Sequence, residues 1–218
     1  MTFLTMKGIF AVYKPKGPTS HDIVDRIRKI TGVKKGGHAG TLDPLARGVL
    51  VIGVGREATK KLHEVVGQEK EYIAKIRLGM ESTTDDEEGE KKIVRISRAH
   101  EPARKEIDKV LSEFKGQIFQ TPPKFSALKI KGKSAYELAR AGKEVKLEPR
   151  RVYIKEIEVL RYSWPYLTIR AVTGQGVYIR SIARDIGRKL HVGGYLADLE
   201  RTRVGEWTKR STIDLSSL

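Results

Sequence analysis

Residues 37–50 read GHAGTLDPLARGVL, and this segment is the most informative part of the chain. Asp43 lies there in a loop rich in glycine and proline, directly before the apolar run 49–54, which we expect to be an interior strand. The glycines around it allow tight turns and a close approach to a ligand, and Pro44 biases Asp43 away from helical backbone angles. A rigid loop that presents one acid beside a buried strand is typical of an active site.

Length and charge limit the class of protein. The chain has 218 residues, enough for one large domain or two small ones. Lysine and arginine number 43 against 27 acidic residues, which gives a formal net charge of +16. Such an excess either maintains solubility or serves a polyanionic partner. We favour nucleic acid as that partner because the basic residues are unevenly distributed.

The absence of cysteine excludes disulfides, thiol nucleophiles and cysteine–metal sites. It also fits a reducing compartment. Residues 1–10 show no signal-peptide pattern, and the longest strongly apolar run, residues 48–55, is too short to span a bilayer. We therefore predict a cytoplasmic protein with no membrane partner.

Hydrophobic periodicity predicts an α+β fold built around a mixed β-sheet. The predicted strands are 9–13, 49–54 and 72–78, with 93–96 as the partner of the third, and two within 150–173 joined at 163–165. The predicted helices begin near Ser20, Ala58, Pro102 and Ile179; Ser20 is the expected N-cap of the first of them and Gly32 ends it. The expected apolar stripes are Ile23, Val24, Ile27 and Ile30 for the first helix and Ala58, Leu62, Val65 and Val66 for the second. With no internal repeat and no convincing linker, we predict a single domain over residues 1–218.

The segment 120–151 differs in composition from the rest of the chain. It contains nine basic and three acidic residues, with Phe125 and Tyr136 among them. Basic residues interleaved with aromatic ones suit RNA, because the former contact phosphates and the latter stack on bases. A solvated, lysine-rich hairpin explains the same composition, and charge placement alone leaves the two interpretations open.

Five segments, taken in chain order, resemble the motifs of the TruB family of tRNA pseudouridine synthases. Residues 37–50 are similar to the family's catalytic motif. The others are a lysine-proline motif at 14–20, a tyrosine motif at 70–72 with Leu78 and Gly79, an arginine motif at 176–180 and a closing segment at 199–205. The resemblance extends over residues 8–205, and an ordered set of motifs is far more specific than a single one.

The resemblance implies the pseudouridine synthase catalytic fold, a mixed and mainly antiparallel β-sheet flanked by helices and loops, with 120–151 as an insertion that grips RNA. It also implies that the chain isomerises a uridine in the T-arm stem-loop of tRNA to pseudouridine, a reaction that needs no cofactor and no metal. Most family members continue into a small C-terminal RNA-binding domain, whereas this sequence ends at Leu218. We expect a monomer, with RNA binding that depends heavily on the insertion and on salt.

The resemblance makes Asp43 the nucleophile or charge-stabilising carboxylate, with the attacked atom left open. Taken alone, an aspartate before a proline is a common turn initiator. Arg180, Arg184 and Arg188 share one face of the predicted helix, and like charges at that spacing favour anionic partners. Solvation suffices for Arg188, whereas for Arg180 the resemblance implies an ion pair that keeps Asp43 ionised and oriented.

The remaining candidate residues would hold the substrate. By the resemblance, Tyr72 stacks on the target uracil, Tyr178 contributes to the pocket and Leu199 closes it. Spacing alone favours a core position for Tyr72 and for Leu199. The resemblance places His38 against the RNA near the flipped nucleotide, although a loop histidine can also simply satisfy a backbone group. We expect Lys14 to support the pocket without touching the substrate.

The sequence leaves two other functions open. One is a non-catalytic RNA-binding or RNA-chaperone protein that retains the fold, although binding alone does not need the Asp43 carboxylate. The other is a metal-dependent nuclease that uses His38, Asp43 and the acidic segment 81–90. That segment holds six acidic residues and no basic one, and an exposed turn between strands explains it more simply.

Overall fold

The computed structural model describes residues 7–94, 101–126, 128–130, 133–134 and 147–214. These residues form four helices, which are α1 (Ser20–Thr31), α2 (Arg56–Val66), α3 (Arg104–Ser112) and α4 (Ile179–Lys189). They also form the strands β1 (Gly8–Lys14), β2 (Gly36–His38), β3 (Arg47–Val54), β4 (Lys70–Leu78), β5 (Met80–Ser82), β6 (Lys91–Ile93), β7 (Gly116–Gln120), β8 (Lys129–Ile130), β9 (Lys133–Ser134), β10 (Arg150–Ser163), β11 (Tyr166–Thr173), β12 (Gly194–Val204), β13 (Trp207–Thr208) and β14 (Thr212–Ile213). None of the helices in these ranges is both long and apolar enough to cross a bilayer.

The described residues fall into two compact units. Unit 1 contains the described residues of Met1–Ile73, Val172–Gln175 and Leu199–Leu218, and unit 2 contains those of Ala74–Ala171 and Gly176–Asp198. Strands β4, β11 and β12 contribute residues to both units. The single domain expected over residues 1–218 stays a prediction.

In unit 1 the strand order is β14-β1-β3-β12-β4, with β2 also paired to β3 and β13 to β12. β1 and β3 are antiparallel and pair from Gly8 opposite Val54 to Lys14 opposite Gly48. β3 and β12 are parallel, with Gly48 opposite Arg201. β3 is therefore an interior strand, as its continuous apolar sequence predicts.

Both faces of β3 are buried. One face packs against α1, and the residues of this core cluster are Phe10, Val12, Ile23, Val24, Ile27, Leu50, Ile52 and Val54. The other face packs against α2, and its cluster consists of Ala11, Ala39, Val49, Val51, Leu62, Val65 and Val204. The predicted apolar stripes are confirmed for Ile23, Val24 and Ile27 of α1 and for Ala58, Leu62 and Val65 of α2. The prediction is wrong for Val66, which is 37% exposed at the end of α2. Because both faces are covered, the loop that precedes β3 is attached to a rigid strand.

The N-cap of α1 differs from the prediction. Thr19 caps the helix in place of Ser20, because its hydroxyl accepts from the Asp22 amide at 3.1 Å while the Asp22 carboxylate accepts from the Thr19 amide at 2.7 Å. This reciprocal capping box satisfies two amides, and no acceptor lies three residues after Ser20 to form another. The Ser20 hydroxyl instead contacts the backbone of Leu42. Gly32 ends the helix as predicted, with a φ of 67°.

In unit 2 the strand order is β4-β11-β10-β7. β10 and β7 are antiparallel, with Arg150 opposite Gln120, and α3 packs on β10. The interior of this unit contains Ala74, Ile76, Leu78, Ile107, Leu111, Ile154, Leu167, Ile169, Ile182 and Ile186. The two strands predicted within 150–173 and their junction at 163–165 are confirmed.

The partner predicted for the strand 72–78 is wrong. Ile93 lies opposite Met80 in the short β5–β6 pair and does not extend β4. Gly79 separates β4 from β5 with a φ of +85°, a conformation that interrupts a strand. Residues 95 and 96, the rest of the predicted partner, lie outside the described residues.

The structure describes the basic segment 120–151 only in part. Tyr136 and four of its nine basic residues lie outside the described residues. Within the described part, β8 and β9 pair with Lys129 opposite Ser134. The role of this segment in gripping RNA therefore stays a prediction.

Replacing Gly48 by alanine is expected to destabilise the fold by about 4 kcal/mol, because strain and a clash add. A Cβ atom at this position would lie 2.2 Å from the carbonyl oxygen of Arg201 and 2.7 Å from its amide nitrogen. The φ angle of +119° is also unfavourable for alanine. Urea unfolding of the purified variant measures the loss of stability.

Gly17→Ala is the matched control for this variant. Gly17 has a φ of +105° and open space around its Cβ position, so only the backbone strain applies. The control should lose about 1–2 kcal/mol. Equal losses in the two variants would contradict the predicted clash between Gly48 and β12.

Candidate active site

The loop between β2 and β3, residues 39–46, carries Asp43, and we call it the Asp43 loop. The Ser20 hydroxyl donates to the Leu42 carbonyl at 3.0 Å and accepts from the Leu42 amide at 2.8 Å. On the other side, the Ala46 amide donates to the Asp43 carbonyl at 3.0 Å. These contacts fix the backbone around Asp43, whose side chain is half-buried and so still reachable from outside.

A buried lysine supports the same loop from β1. Lys14 is 0% exposed, and its ammonium donates to the Pro44 carbonyl at 3.5 Å and to two carbonyls of the segment before α1 at 2.9 and 2.8 Å. Burial lowers the pKa of Lys14 to about 8, although the charge of Asp43 raises it. At neutral pH Lys14 therefore remains mainly protonated and holds the loop as a cation.

His38 lies at the end of β2, opposite Ile52 of β3, and is half-buried. Burial lowers the pKa of His38, and the positive charge of Arg201 lowers it further. The imidazole is therefore neutral at pH 7. Its Nδ1 atom is buried and has no hydrogen-bond partner among the described residues. The contact with RNA stays a prediction.

Tyr72 and Leu199 belong to unit 1 and lie on β4 and β12. They are 7% and 6% exposed, so each shows only a small part of its surface. Such burial fits a core residue and also fits the wall of a narrow pocket. Their roles in stacking on uracil and closing the pocket stay predictions.

Tyr178 lies at the N-cap of α4 in unit 2, and the side chain of Gln120 fixes its backbone. The Gln120 amide donates to the Tyr178 carbonyl at 3.1 Å, and its oxygen accepts from the Tyr178 amide at 2.9 Å. This double contact ties the start of α4 to the end of β7. The half-buried tyrosine ring is thus presented from a rigid position.

Arg180 lies in the first turn of α4 and is buried among acceptors. Its guanidinium donates to the Phe125 carbonyl at 2.9 Å and to the Thr84 carbonyl at 3.4 Å, and lies 3.5 Å from the Asp86 carboxylate. Asp86 is 3% exposed and also accepts from the Thr84 hydroxyl. These contacts orient the guanidinium within unit 2.

Arg184 has the anionic partners that the spacing of the arginines on α4 predicts. Its guanidinium lies 2.8 Å from Asp85 and 2.8 Å from Asp185, and it donates to the Thr121 carbonyl at 2.8 Å. Burial lowers the pKa of Arg184, but the hydrogen bonds and charges of Asp185 and Asp85 outweigh it, so the pKa is raised overall. Arg188 is largely exposed and 4.0 Å from Asp185, in line with a solvated role.

The exposed turn predicted for the acidic segment 81–90 is wrong for two of its residues. The segment joins β5 to β6 as expected, but Asp86 is buried and Asp85 is half-buried. Both carboxylates pair with arginines of α4. Asp85 and Arg184 are 99 residues apart in the chain, so the local composition gave no sign of the pair.

The candidate residues are distributed over both units. Unit 1 contains His38, Asp43, Tyr72 and Leu199, and unit 2 contains Tyr178 and Arg180. The ion pair between Asp43 and Arg180 stays a prediction. Among the described residues, no group of three or more histidine, aspartate or glutamate side chains is placed to hold a metal ion.

Three further polar residues were not singled out from the sequence: Asp86, Gln120 and Arg201. All three are buried. Strand alternation contains a signal for two of them, because it places Gln120 on the face of Ile118 and Arg201 on the face of Leu199. A polar residue on an inward face needs internal partners, and that requirement could have identified both.

A family model and curated proteins match this chain. The model described as TruB family pseudouridylate synthase (N terminal domain) matches residues 28–179. The tRNA pseudouridine synthase B of Clostridium tetani is 43% identical over 213 residues, which cover 98% of this chain and 73% of that protein. The protein of the same name from Caldanaerobacter subterraneus is 42% identical over 216 residues, covering 99% of this chain and 75% of that protein.

Two solved structures share the fold over the whole chain. The crystal structure of a Cbf5-Nop10-Gar1 complex contains a chain that is 30% identical, with a TM-score of 0.75 over 100% of this chain. An H/ACA RNP bound to a substrate RNA containing 2′-deoxyuridine contains one that is 28% identical, with a TM-score of 0.72 over 99%. This chain spans 54% and 53% of those two chains, about half of each.

Proposed function

The chain belongs to the TruB family of pseudouridylate synthases, and from this membership we propose that it converts the uridine of the T-arm loop of tRNA to pseudouridine, with Asp43 as its catalytic carboxylate. Its curated relatives are tRNA pseudouridine synthases, and the chain is accordingly an isomerase that modifies uridine in tRNA. The α+β fold and the family resemblance predicted from the sequence are confirmed.

The reaction rearranges a nucleoside and requires little apart from positioning. The N-glycosidic bond breaks, the uracil turns, and its C5 atom forms a bond to the ribose and releases a proton. The enzyme needs a carboxylate that attacks or stabilises the sugar or base, a pocket for the detached uracil, and a means of extracting the base from its stack. No redox agent or group donor takes part.

The observation that carries this proposal is the rigidity of the Asp43 loop. Hydrogen bonds hold its backbone before and after Asp43, through Leu42 and Ala46, while Lys14 holds the Pro44 carbonyl. The Asp43 side chain itself is half-buried. A fixed, partly accessible carboxylate is what covalent or electrostatic catalysis at a sugar requires, since positioning supplies much of the rate.

Arg180 would serve as the cation that keeps Asp43 ionised. The family resemblance supports this role, and the fixed orientation of the Arg180 guanidinium supports it too, because Asp86 and two backbone carbonyls restrain its movement. An adjacent guanidinium stabilises the charged form of a carboxylate and fixes its direction.

The remaining residues would hold the everted base and the opened RNA loop. We assign Tyr72 to stacking on the uracil, Tyr178 to the pocket wall and Leu199 to its closure, as the resemblance implies. His38 would contact the RNA near the flipped nucleotide. Because its imidazole is neutral, His38 can form hydrogen bonds to the RNA without attracting phosphate groups non-specifically.

The affinity for RNA is expected to fall steeply with salt, by about 1000-fold between about 50 and about 200 mM, as for a protein that makes roughly six phosphate contacts. The net charge of +16 and the nine basic residues of 120–151 supply this attraction. Filter binding of a T-arm stem-loop over a salt series measures the slope. An affinity that stays nearly constant over this range would contradict the proposal.

A triple variant locates the phosphate contacts. Lys124, Arg150 and Arg151 are exposed residues of the basic segment, and their replacement by glutamine should flatten the salt slope. The matched control replaces three exposed lysines of and after α3, namely Lys105, Lys109 and Lys115, and removes the same charge. A slope that changes equally in both variants would mean that only net charge matters.

A non-catalytic RNA-binding or RNA-chaperone role is the alternative that the same experiments test. Release of tritium from C5-labelled uridine in RNA reports the isomerisation, because RNA binding alone does not release the label.

We further propose that the protein acts as a monomer in the cytoplasm. The lack of cysteine fits that reducing compartment, and sedimentation at working concentration tests the monomer.

A further inference from the structure

Arg201, on β12 in unit 1, is a fully buried arginine to which the reaction described above gives no role. Only 1% of its surface is exposed, and it is among the largest completely buried side chains in the described part of the chain. Burying a guanidinium is unfavourable unless its donors are satisfied. Its contacts therefore indicate what the side chain is there to hold.

The guanidinium of Arg201 holds the two ends of the Asp43 segment together. Its Nη2 donates to the Gly40 carbonyl at 3.1 Å and its Nη1 to the Thr41 carbonyl at 3.4 Å, both before Asp43. Its Nε donates to the Val49 carbonyl at 2.8 Å, on β3 after the loop. A planar fork with fixed donor directions sets the relative position of these acceptors, which a flexible ammonium could not do.

The backbone of Arg201 is also fixed. It lies opposite Gly48 in the parallel pair of β3 and β12, and a Cβ atom on Gly48 would come within 2.2 Å of the Arg201 carbonyl oxygen. The close approach of the two strands restrains the backbone from which this side chain extends. The guanidinium is thus carried by a rigid element directly under the loop.

The charges around Arg201 suggest more than a structural contact. Among the described residues it forms no ion pair, and its charge lowers the pKa values of Lys14, Lys70 and His38. Burial is the main reason why the pKa values of Lys14 and Lys70 fall to about 8. Arg201, Lys14 and Lys70 thus form a group of cations whose mutual repulsion opposes folding but which creates a positive potential at the Asp43 loop.

We propose that Arg201 is the positioning residue of the Asp43 loop, and that it fixes the backbone before and after Asp43 so that the carboxylate keeps the place that the reaction requires. The inference rests on the proposed catalytic function of Asp43. Arg201 itself does not touch the substrate. Its removal should therefore reduce the rate of the chemical step and leave RNA binding nearly unchanged.

The test compares Arg201→Met with Arg203→Met, its matched control two residues along the same strand. Arg203 is partly exposed, donates to the Gly205 carbonyl at 3.0 Å and lies 3.9 Å from the Glu69 carboxylate. In Arg201→Met we expect kcat to fall about 100-fold while KM for the RNA stays within about threefold of the wild-type value. In Arg203→Met we expect kcat to stay within about twofold of the wild-type value. Circular dichroism and melting temperatures establish that both variants fold.

A conservative variant and a spectroscopic readout complete the experiment. Arg201→Lys keeps the charge but cannot reach all three carbonyls, so its kcat should fall about 10-fold with little change in melting temperature. The pKa of His38, followed by NMR titration and assigned with His38→Gln, should rise in Arg201→Met, because a neighbouring positive charge is removed. It should not change in Arg203→Met.

The outcomes separate the two proposals. A folded Arg201→Met with wild-type kcat, or an equal loss in Arg203→Met, overturns the positioning role. If Arg201→Met does not fold, Arg201→Lys decides, and wild-type kcat in that variant overturns it. Normal turnover in Asp43→Asn refutes the proposed function itself, whereas an inactive Asp43→Asn beside a fully active Arg201→Met refutes only the inference on Arg201.

Discussion

Asp43→Asn is expected to reduce pseudouridine formation by at least about 10⁴-fold, because the substitution keeps the shape of the side chain and removes its charge and nucleophilicity. The backbone contacts of the Asp43 loop go through Leu42, Pro44 and Ala46 and do not use the carboxylate, so the fold should be unaffected. Tritium release from C5-labelled uridine in a T-arm stem-loop measures the turnover. Affinity for the same RNA should remain close to that of the wild type.

The control for this variant is the same substitution at another acid of unit 1. Asp25 lies on α1, is roughly half exposed and pairs with Arg28 at 2.7 Å. Asp25→Asn should therefore leave turnover unchanged. If Asp43→Asn turns over as fast as this control, Asp43 is not the catalytic carboxylate.

Arg180→Ala is expected to lower kcat by about 10³-fold and also to destabilise the protein, by about 3–5 kcal/mol, because it leaves a buried carboxylate without its cation. That carboxylate is Asp86, which lies 3.5 Å from Arg180 and is 3% exposed. The loss of activity and the loss of stability have different causes. Turnover per folded molecule, measured below the unfolding transition, separates them.

Two further variants isolate the catalytic part of the effect. Arg184→Ala removes an arginine that is buried to a similar extent one turn along α4 and that also pairs with carboxylates, so its stability loss should be comparable while its turnover per folded molecule stays near wild type. The double variant Arg180→Ala with Asp86→Asn should regain stability, because the buried Asp86 charge is removed. It should regain no activity, because the cation that pairs with Asp43 is still missing. Equal turnover in Arg180→Ala and Arg184→Ala would contradict a special role for Arg180.

Local patterns in the sequence predicted the elements that hold the site. The apolar run of β3, the stripe of α1 and the alternation of β4 are each carried by consecutive or regularly spaced residues, and the structure has all three. Asp43 also stood out locally, because glycine and proline around an acid are visible without knowledge of any distant contact.

The features that the sequence did not reveal depend on contacts between distant parts of the chain. Asp85 was assigned to an exposed turn because its partner Arg184 is 99 residues away. The alternation of β12 places Arg201 on an inward face but does not identify its partners, the carbonyls of Gly40 and Thr41, which precede it by 161 and 160 residues. Only the fold brings such partners together, so composition and periodicity cannot identify them.

The predicted N-cap of α1 was wrong for a different reason. Thr19 and Ser20 are both good N-cap residues, and the choice between them depends on the residue three positions later. Asp22 completes a capping box with Thr19, and Ser20 is used elsewhere, in the contact that fixes Leu42 of the Asp43 loop. A local signal was present, but two neighbouring residues competed for it.

Mapping pseudouridine at nucleotide resolution, in an unmodified tRNA transcript incubated with the purified protein, tests whether Asp43 carries out this isomerisation. We expect pseudouridine to form at the T-arm loop uridine with the wild-type protein and with Asp25→Asn, and none to form with Asp43→Asn. A transcript that the wild-type protein leaves unmodified, or that Asp43→Asn modifies equally well, would contradict the account.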